Sequence, residues 1–223
     1  MTACSSACAR FTQRYLHSNQ GADTRLGHPD LTAVSARSTI NACEVIMLAY
    51  LFVIFAVAVR FLPHPWMFTP VVGSLLFFGA RGSRRQFWVP LALLISSDLF
   101  LTKFVYHYPF VWDQLVIFAW YGAILWLGTT LRRNARILRL IGAALASSVS
   151  FFLLTNFTSW LVGTLPYPRS LSGIMTSYEL GLPFFRHAVE GDLLFTLAMF
   201  ATPVALHAVS EAINKPGADS AAA

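Results

Sequence analysis

Residues 45 to 210 alternate long apolar runs with short connections, and that alternation leaves the chain few ways to fold. A segment in lipid must satisfy its own backbone polar groups, so each run is read as a helix. Crossing a bilayer core takes about 20 helical residues at 1.5 Å each. Runs are expected at 45–62, 67–80, 87–105, 112–131, 137–165 and 189–210. The second, at roughly 14 residues, reaches only about 21 Å and reads as a partial or packed-in helix. The fifth is too long for one straight span, and a break is expected near Thr155-Asn156. The expected fold is all-α: a polytopic membrane six-helix bundle with a lid-like outer loop between helices 5 and 6.

Composition agrees. The chain is 56% hydrophobic and 12% charged, with a mean hydropathy of +0.59. A soluble domain is nearer a quarter charged, so lipid must be the solvent for most of this one. The net charge of +6 comes mainly from arginines in two short connections. These hold Arg81, Arg84 and Arg85, and then Arg132, Arg133, Arg136 and Arg139. That is the positive-inside pattern, and it argues against nucleic acid as a partner. Six spans put both termini in the cytoplasm and the connections 61–68, 104–112 and 160–190 outside.

The ends read differently from the middle. Residues 1–44 are rich in Ala, Ser, Thr and Arg and hold no apolar signal core. They read as a disordered or mis-called N-terminal extension, with Met47 a natural start for the first helix. The domain is expected over 45–210, with a disordered tail at 211–223. Cys4 and Cys8, four apart, are a weak metal signal, three cysteines argue against a disulfide scaffold, and Cys4, Cys8 and Cys43 read as incidental.

The outer connections carry the residues with chemistry. Asp98 stands mid-segment, where an acid costs about 2.5–3.5 kcal/mol on insertion scales and must meet the bundle interior, water or a partner. It is read as a ligand contact, or as a helix–helix hydrogen bond near Ser96, Ser97 and Lys103. The run Pro63-His-Pro-Trp-Met-Phe-Thr-Pro70 stiffens its connection and presents His64 and Trp66, either to a ligand or as an interfacial belt. Tyr108 and Tyr167 join the outer aromatics. Asn156 and Trp160 share a helix face. Tyr178, Glu179 and His187 follow in a loop too long for a mere connector, expected to fold as short helices over the mouth. Ser170 would cap one of these and Gly181-Leu-Pro183 would end it. Asp192 is read as a ligand contact, or as an acid at the N-terminus of the sixth helix.

Catalysis finds little support. His187 with Glu190 or Asp192 and a serine would sketch a triad, but there is no Gly-x-Ser-x-Gly elbow. There is no His-Glu-x-x-His zinc helix and no phosphate loop ending in Gly-Lys. No enzyme activity, cofactor or metal is therefore expected, although His64, His107 and His187 all lie in outer connections. Asp98 and Lys103 alone are a thin set for ion coupling.

Arg60-Phe-Leu-Pro-His-Pro-Trp-Met-Phe-Thr-Pro70, Ser97-Asp98, Thr155-Asn-Phe-Thr-Ser-Trp160, Tyr167-Pro168 and Glu190-Gly-Asp-Leu-Leu-Phe195 resemble an uncharacterised family of small six-helix bacterial membrane proteins described as transport proteins. The resemblance covers about residues 47 to 210. That family is similar to the substrate-binding S components of energy-coupling factor vitamin transporters. The resemblance implies the bacterial inner membrane, an outward-facing micronutrient pocket under external loops, and an energy-coupling transmembrane protein with ATPase subunits. S components often carry an alanine-x-x-x-alanine contact on the first helix, and Ala49, Ala56 and Ala58 lack that spacing.

The reading that gathers these residues is a membrane uptake component binding a small aromatic or vitamin-like solute. Stacking on Trp66, Tyr108 or Trp160 would supply apolar contact, and Asp98, Asn156, Glu179 and His187 would orient the solute. Its rival is a structural or assembly subunit of a larger membrane complex, with an intramembrane enzyme as a third class.

Overall fold

The computed structural model describes residues 31–62, 68–164 and 166–214. Among these the chain is helical, with six α-helices and no strand. They are α1 (Leu31–Val59), α2 (Val71–Arg81), α3 (Trp88–Phe100), α4 (Asp113–Gly128), α5 (Ile137–Val162) and α6 (Leu171–Asn214). A π-turn, Leu101–Val105, prolongs α3, and a 3-10 turn, Thr129–Leu131, prolongs α4. The chain divides into two units, 1–48 and 49–223. Four stretches are long and apolar enough to cross a membrane: Arg84–Val105, Asp113–Leu131, Ile137–Val162 and Leu171–Ile213.

α2 is the packed-in helix that its length predicts. Ten of its eleven residues, Val71 to Ala80, are buried. It packs against α4 and α6. Its contact with α4 depends on backbone proximity. A Cβ on Gly79 would lie 2.2 Å from the Leu125 carbonyl oxygen, so only hydrogen fits there. Arg132 closes the same end, donating from Nε to the Gly79 carbonyl (2.9 Å) and from Nη2 to that of Gly82 (2.6 Å). One arginine of the second basic connection thus satisfies carbonyls left free where α2 stops.

The outward faces are apolar. Leu93, Trp126, Leu153 and Leu194 are all exposed, on α3, α4, α5 and α6. Surfaces of that kind mark contact with lipid or a partner. With the four long helices they make the chain a candidate multi-pass membrane protein.

Two boundaries differ from the sequence expectations. α1 begins at Leu31, ahead of the first expected run at 45–62. α6 continues to Asn214, taking in residues 211–214. Residues 1–30 and 215–223 lie outside the described residues.

The largest correction concerns the fifth and sixth helices. α5 runs unbroken through Thr155-Asn156, because both side chains bond back to their own helix. Thr155 Oγ1 donates to the Phe151 carbonyl and Asn156 Nδ2 to that of Phe152, each at 2.8 Å. Gly163, at φ 79°, then ends the helix in the left-handed conformation. The expected lid at 160–190 is reduced to the connection 163–170, since residues 171–190 form the first half of α6. Gly181 and Pro183, read as a stop, lie inside that helix. Proline forfeits one helical bond, and membrane helices tolerate it because neighbouring helices and side chains compensate.

Candidate functional site

Gly181 sits inside α6 because α5 comes close there. A Cβ at Gly181 would lie 2.6 Å from Asn156 Oδ1. Polar bonds hold the two helices together around this point. Ser177 Oγ donates to the Asn156 carbonyl (3.1 Å), and the Tyr178 hydroxyl to that of Leu153 (3.0 Å). Phe152 packs between Tyr178 and Phe185, with ring centroids 5.5 and 4.7 Å away.

A cleft of about 200 Å³ opens along this seam. Phe151, Phe152 and Phe185 form apolar walls, and Asn156, Ser159 and Ser148 supply polar edges. Ser148 and Asn156 are eight residues apart, about 12 Å along α5, so the polar groups sit at different depths. At the Ser148 end, the hydroxyl oxygen lies 2.6 Å from Asp192 Oδ2, within hydrogen-bond distance. Asp192 is 6% exposed and stands deep within α6, not at its first turn. Its reading as a helix-terminal acid is overturned, because the helix starts at Leu171.

Asp98 belongs to a separate cluster. It pairs with Arg60, whose Nη2 reaches Asp98 Oδ1. The two side chains are 16% and 15% exposed. The Tyr121 hydroxyl donates to Asp98 Oδ2 (2.8 Å), and Arg60 Nη1 reaches Ser97 Oγ (3.3 Å) and Tyr121 Oη (3.5 Å). Both carboxylate oxygens are thus engaged by the protein itself. Asp98 therefore makes the helix–helix contact of the two readings, with Arg60 and Tyr121 as partners. Lys103 instead lies over the Phe104 ring, 5.7 Å from its centroid.

Arg60 and Tyr121 are site residues that the sequence reading missed. The signal for Arg60 was there: it is the one cation closing the first apolar run, and an acid inside another run needs a cation. For Tyr121, inside an apolar helix of mixed aromatics, no pattern separates it from its neighbours.

The other expected site residues do not converge. Tyr108 is 69% exposed and stacks on Tyr106. Trp160 donates its indole N–H to the Pro168 carbonyl (3.1 Å), tying down the 163–170 connection in which half-buried Tyr167 lies. Glu179 is exposed. His187 faces Glu190 at 3.5 Å, and Glu190 also accepts from Arg186 at 3.0 Å, an exposed network along one face of α6. Of the eleven residues, Asn156 lines the cleft, Tyr178 packs beside it and Asp192 bonds to Ser148 at one end of it. His64 and Trp66 lie outside the described residues.

Neither the curated proteins nor the solved structures give a match. No match thus tests the likeness to vitamin-transporter S components, which rests on size, helix count and the expected external site. Residues 41–213 match a family described as a family of unknown function (DUF6580). That span includes both polar clusters and the cleft, and the chain belongs to this family.

Proposed function

We propose that this protein is a membrane uptake component that captures a small aromatic or heterocyclic solute in the cleft between α5 and α6. The observation that carries the reading is the make-up of the cleft: phenylalanine walls with a few hydroxyl and amide groups placed along one edge. Ligand sites are commonly built this way, apolar for affinity and sparsely polar for orientation. The full architecture in this reading is a six-helix bundle in a bacterial inner membrane, both termini cytoplasmic. The inner connections hold seven arginines and no acid, which supports that orientation. Asn156 then lies toward the outer face and Ser148 deeper. A coupling membrane protein with ATPase subunits is the partner this reading suggests, since the chain has no nucleotide loop of its own.

Mass spectrometry of small molecules released from the gently purified protein tests it. One organic compound at near one-to-one stoichiometry is expected, depleted at least tenfold in Asn156→Ala and in Phe152→Ala. Retention of the same compound by both variants would place the site elsewhere. Lipid alone, with a stably co-purifying protein, would favour the structural-subunit reading.

A further inference from the structure

The Ser148–Asp192 contact holds a proton count that the solute reading does not use. Ser148 Oγ lies within hydrogen-bond distance of two acceptors, Asp192 Oδ2 at 2.6 Å and the Ala144 carbonyl at 3.1 Å. A hydroxyl has one hydrogen and can serve one of them. With Asp192 ionised, its charge in this buried position is met by that single hydrogen. With Asp192 protonated, its own O–H donates to Ser148 Oγ, Ser148 donates to Ala144, and every hydrogen has an acceptor.

The surroundings favour the second arrangement. Among the described residues Asp192 takes part in no ion pair, whereas Asp98 has Arg60. α6 packs against α5 and α2. The only charged side chain of α5 is Arg139, near its start, and that of α2 is Arg81, at its end. From α1, Phe55 packs on Phe195 of α6; beyond Ala49, Tyr50 is the one titratable residue of that helix, and Arg60 after it is held by Asp98. On α6 itself, Glu190 pairs with Arg186 and His187, and His207 with Glu211. Glu179 is exposed, and Tyr178 is bonded to Leu153. His64, four residues before the Phe68 that packs at Gly191, lies outside the described residues. A lone buried carboxylate is costly unless paired, and one hydroxyl is weak compensation.

We propose that Asp192 and Ser148 form a proton-binding site at the inner end of the α5–α6 cleft, with Asp192 a neutral acid donating to Ser148. Thr196 is a further buried hydroxyl of α6. It follows Asp192 by four residues on the same helix face, fully buried, and its hydroxyl has no partner among the described residues. Because Ser148 also lines the cleft, the proton sits beside whatever the cleft holds. That adjacency rests on the solute reading; the proton site itself does not, since an empty protein would show it.

Infrared spectra of the full chain in lipid nanodiscs, taken across a pH series, test the proposal. Expected at neutral pH is a protonated-carboxyl C=O band that disappears in Asp192→Asn and fades in the wild type at alkaline pH. Ser148→Ala is expected to keep the band and shift it toward the free-acid frequency, because the acceptor is lost. Wild type and Asp192→Asn with the same carboxyl region at neutral pH would overturn the proposal, as would a Ser148→Ala band at the wild-type frequency. Failure of the solute experiment alone would leave the proton site standing, and the reverse also holds.

Discussion

Asp98 and Asp192 have the same sequence signature, an acid inside an apolar run, and the fold treats them in opposite ways. Asp98 is met by the Arg60 guanidinium and the Tyr121 hydroxyl, drawn from two other parts of the chain. Asp192 is met by one serine hydroxyl and is more deeply buried. The paired acid ties together segments distant in sequence. An acid with only a neutral partner keeps its proton or gives it up, which makes it a site of exchange. The acid by itself says only that something must compensate it.

The largest effect separating the two regions is expected from Arg60→Ala. It leaves the Asp98 carboxylate buried beside neutral groups, and breaking a buried pair from one side costs about 3–5 kcal/mol. Thermal unfolding in detergent should show the loss, and the double variant Arg60→Ala, Asp98→Ala should recover much of it. A single variant as stable as the wild type would mean that the ion pair contributes nothing, and the contrast with Asp192 would collapse.

Much of the fold was legible because lipid imposes one rule on every segment. The third and fourth runs, expected at 87–105 and 112–131, match the helical stretches Trp88–Val105 and Asp113–Leu131 almost residue for residue. The short second run was legible from length alone, and its burial follows from its being unable to cross unaided. What was not legible depends on contacts distant in sequence. Gly181 and Pro183 carry the local signature of a helix end, but Gly181 is there for Asn156, 25 residues earlier. Thr155 and Asn156 look like a break until their side chains are seen bonding to their own helix. Arg60 finds Asp98 across 38 residues, and no periodicity predicts that pairing. The expected aromatic residues were visible individually, but among the described ones Tyr108 stacks on Tyr106 and Trp160 bonds to Pro168, so they share no site.

A smaller effect is expected from Ser148→Ala, which removes the one described partner of Asp192. Leaving a buried polar group unsatisfied costs about 1–3 kcal/mol, less than breaking the ion pair. The same unfolding assay should rank it below Arg60→Ala. A loss equal to that of Arg60→Ala would indicate that Asp192 is charged and depends on Ser148 as fully as Asp98 depends on Arg60.

The smallest effect, and the sharpest separation, is expected from Asp192→Asn. A protonated carboxyl and a carboxamide have nearly the same shape, and each presents one donor-bearing atom and one carbonyl oxygen. The amide N–H takes over the donation to Ser148, Ser148 still donates to Ala144, and no charge is created or stranded. The stability change should stay within about 0.5 kcal/mol, the range of substitutions that disturb no packing or pairing. Asp98→Asn is the matched control. There the isosteric change removes the charge that Arg60 was placed to meet, so the melting temperature should fall. If the two amide variants lose equal stability, the carboxyls are in equivalent states and the distinction between a structural acid and a proton-binding one fails.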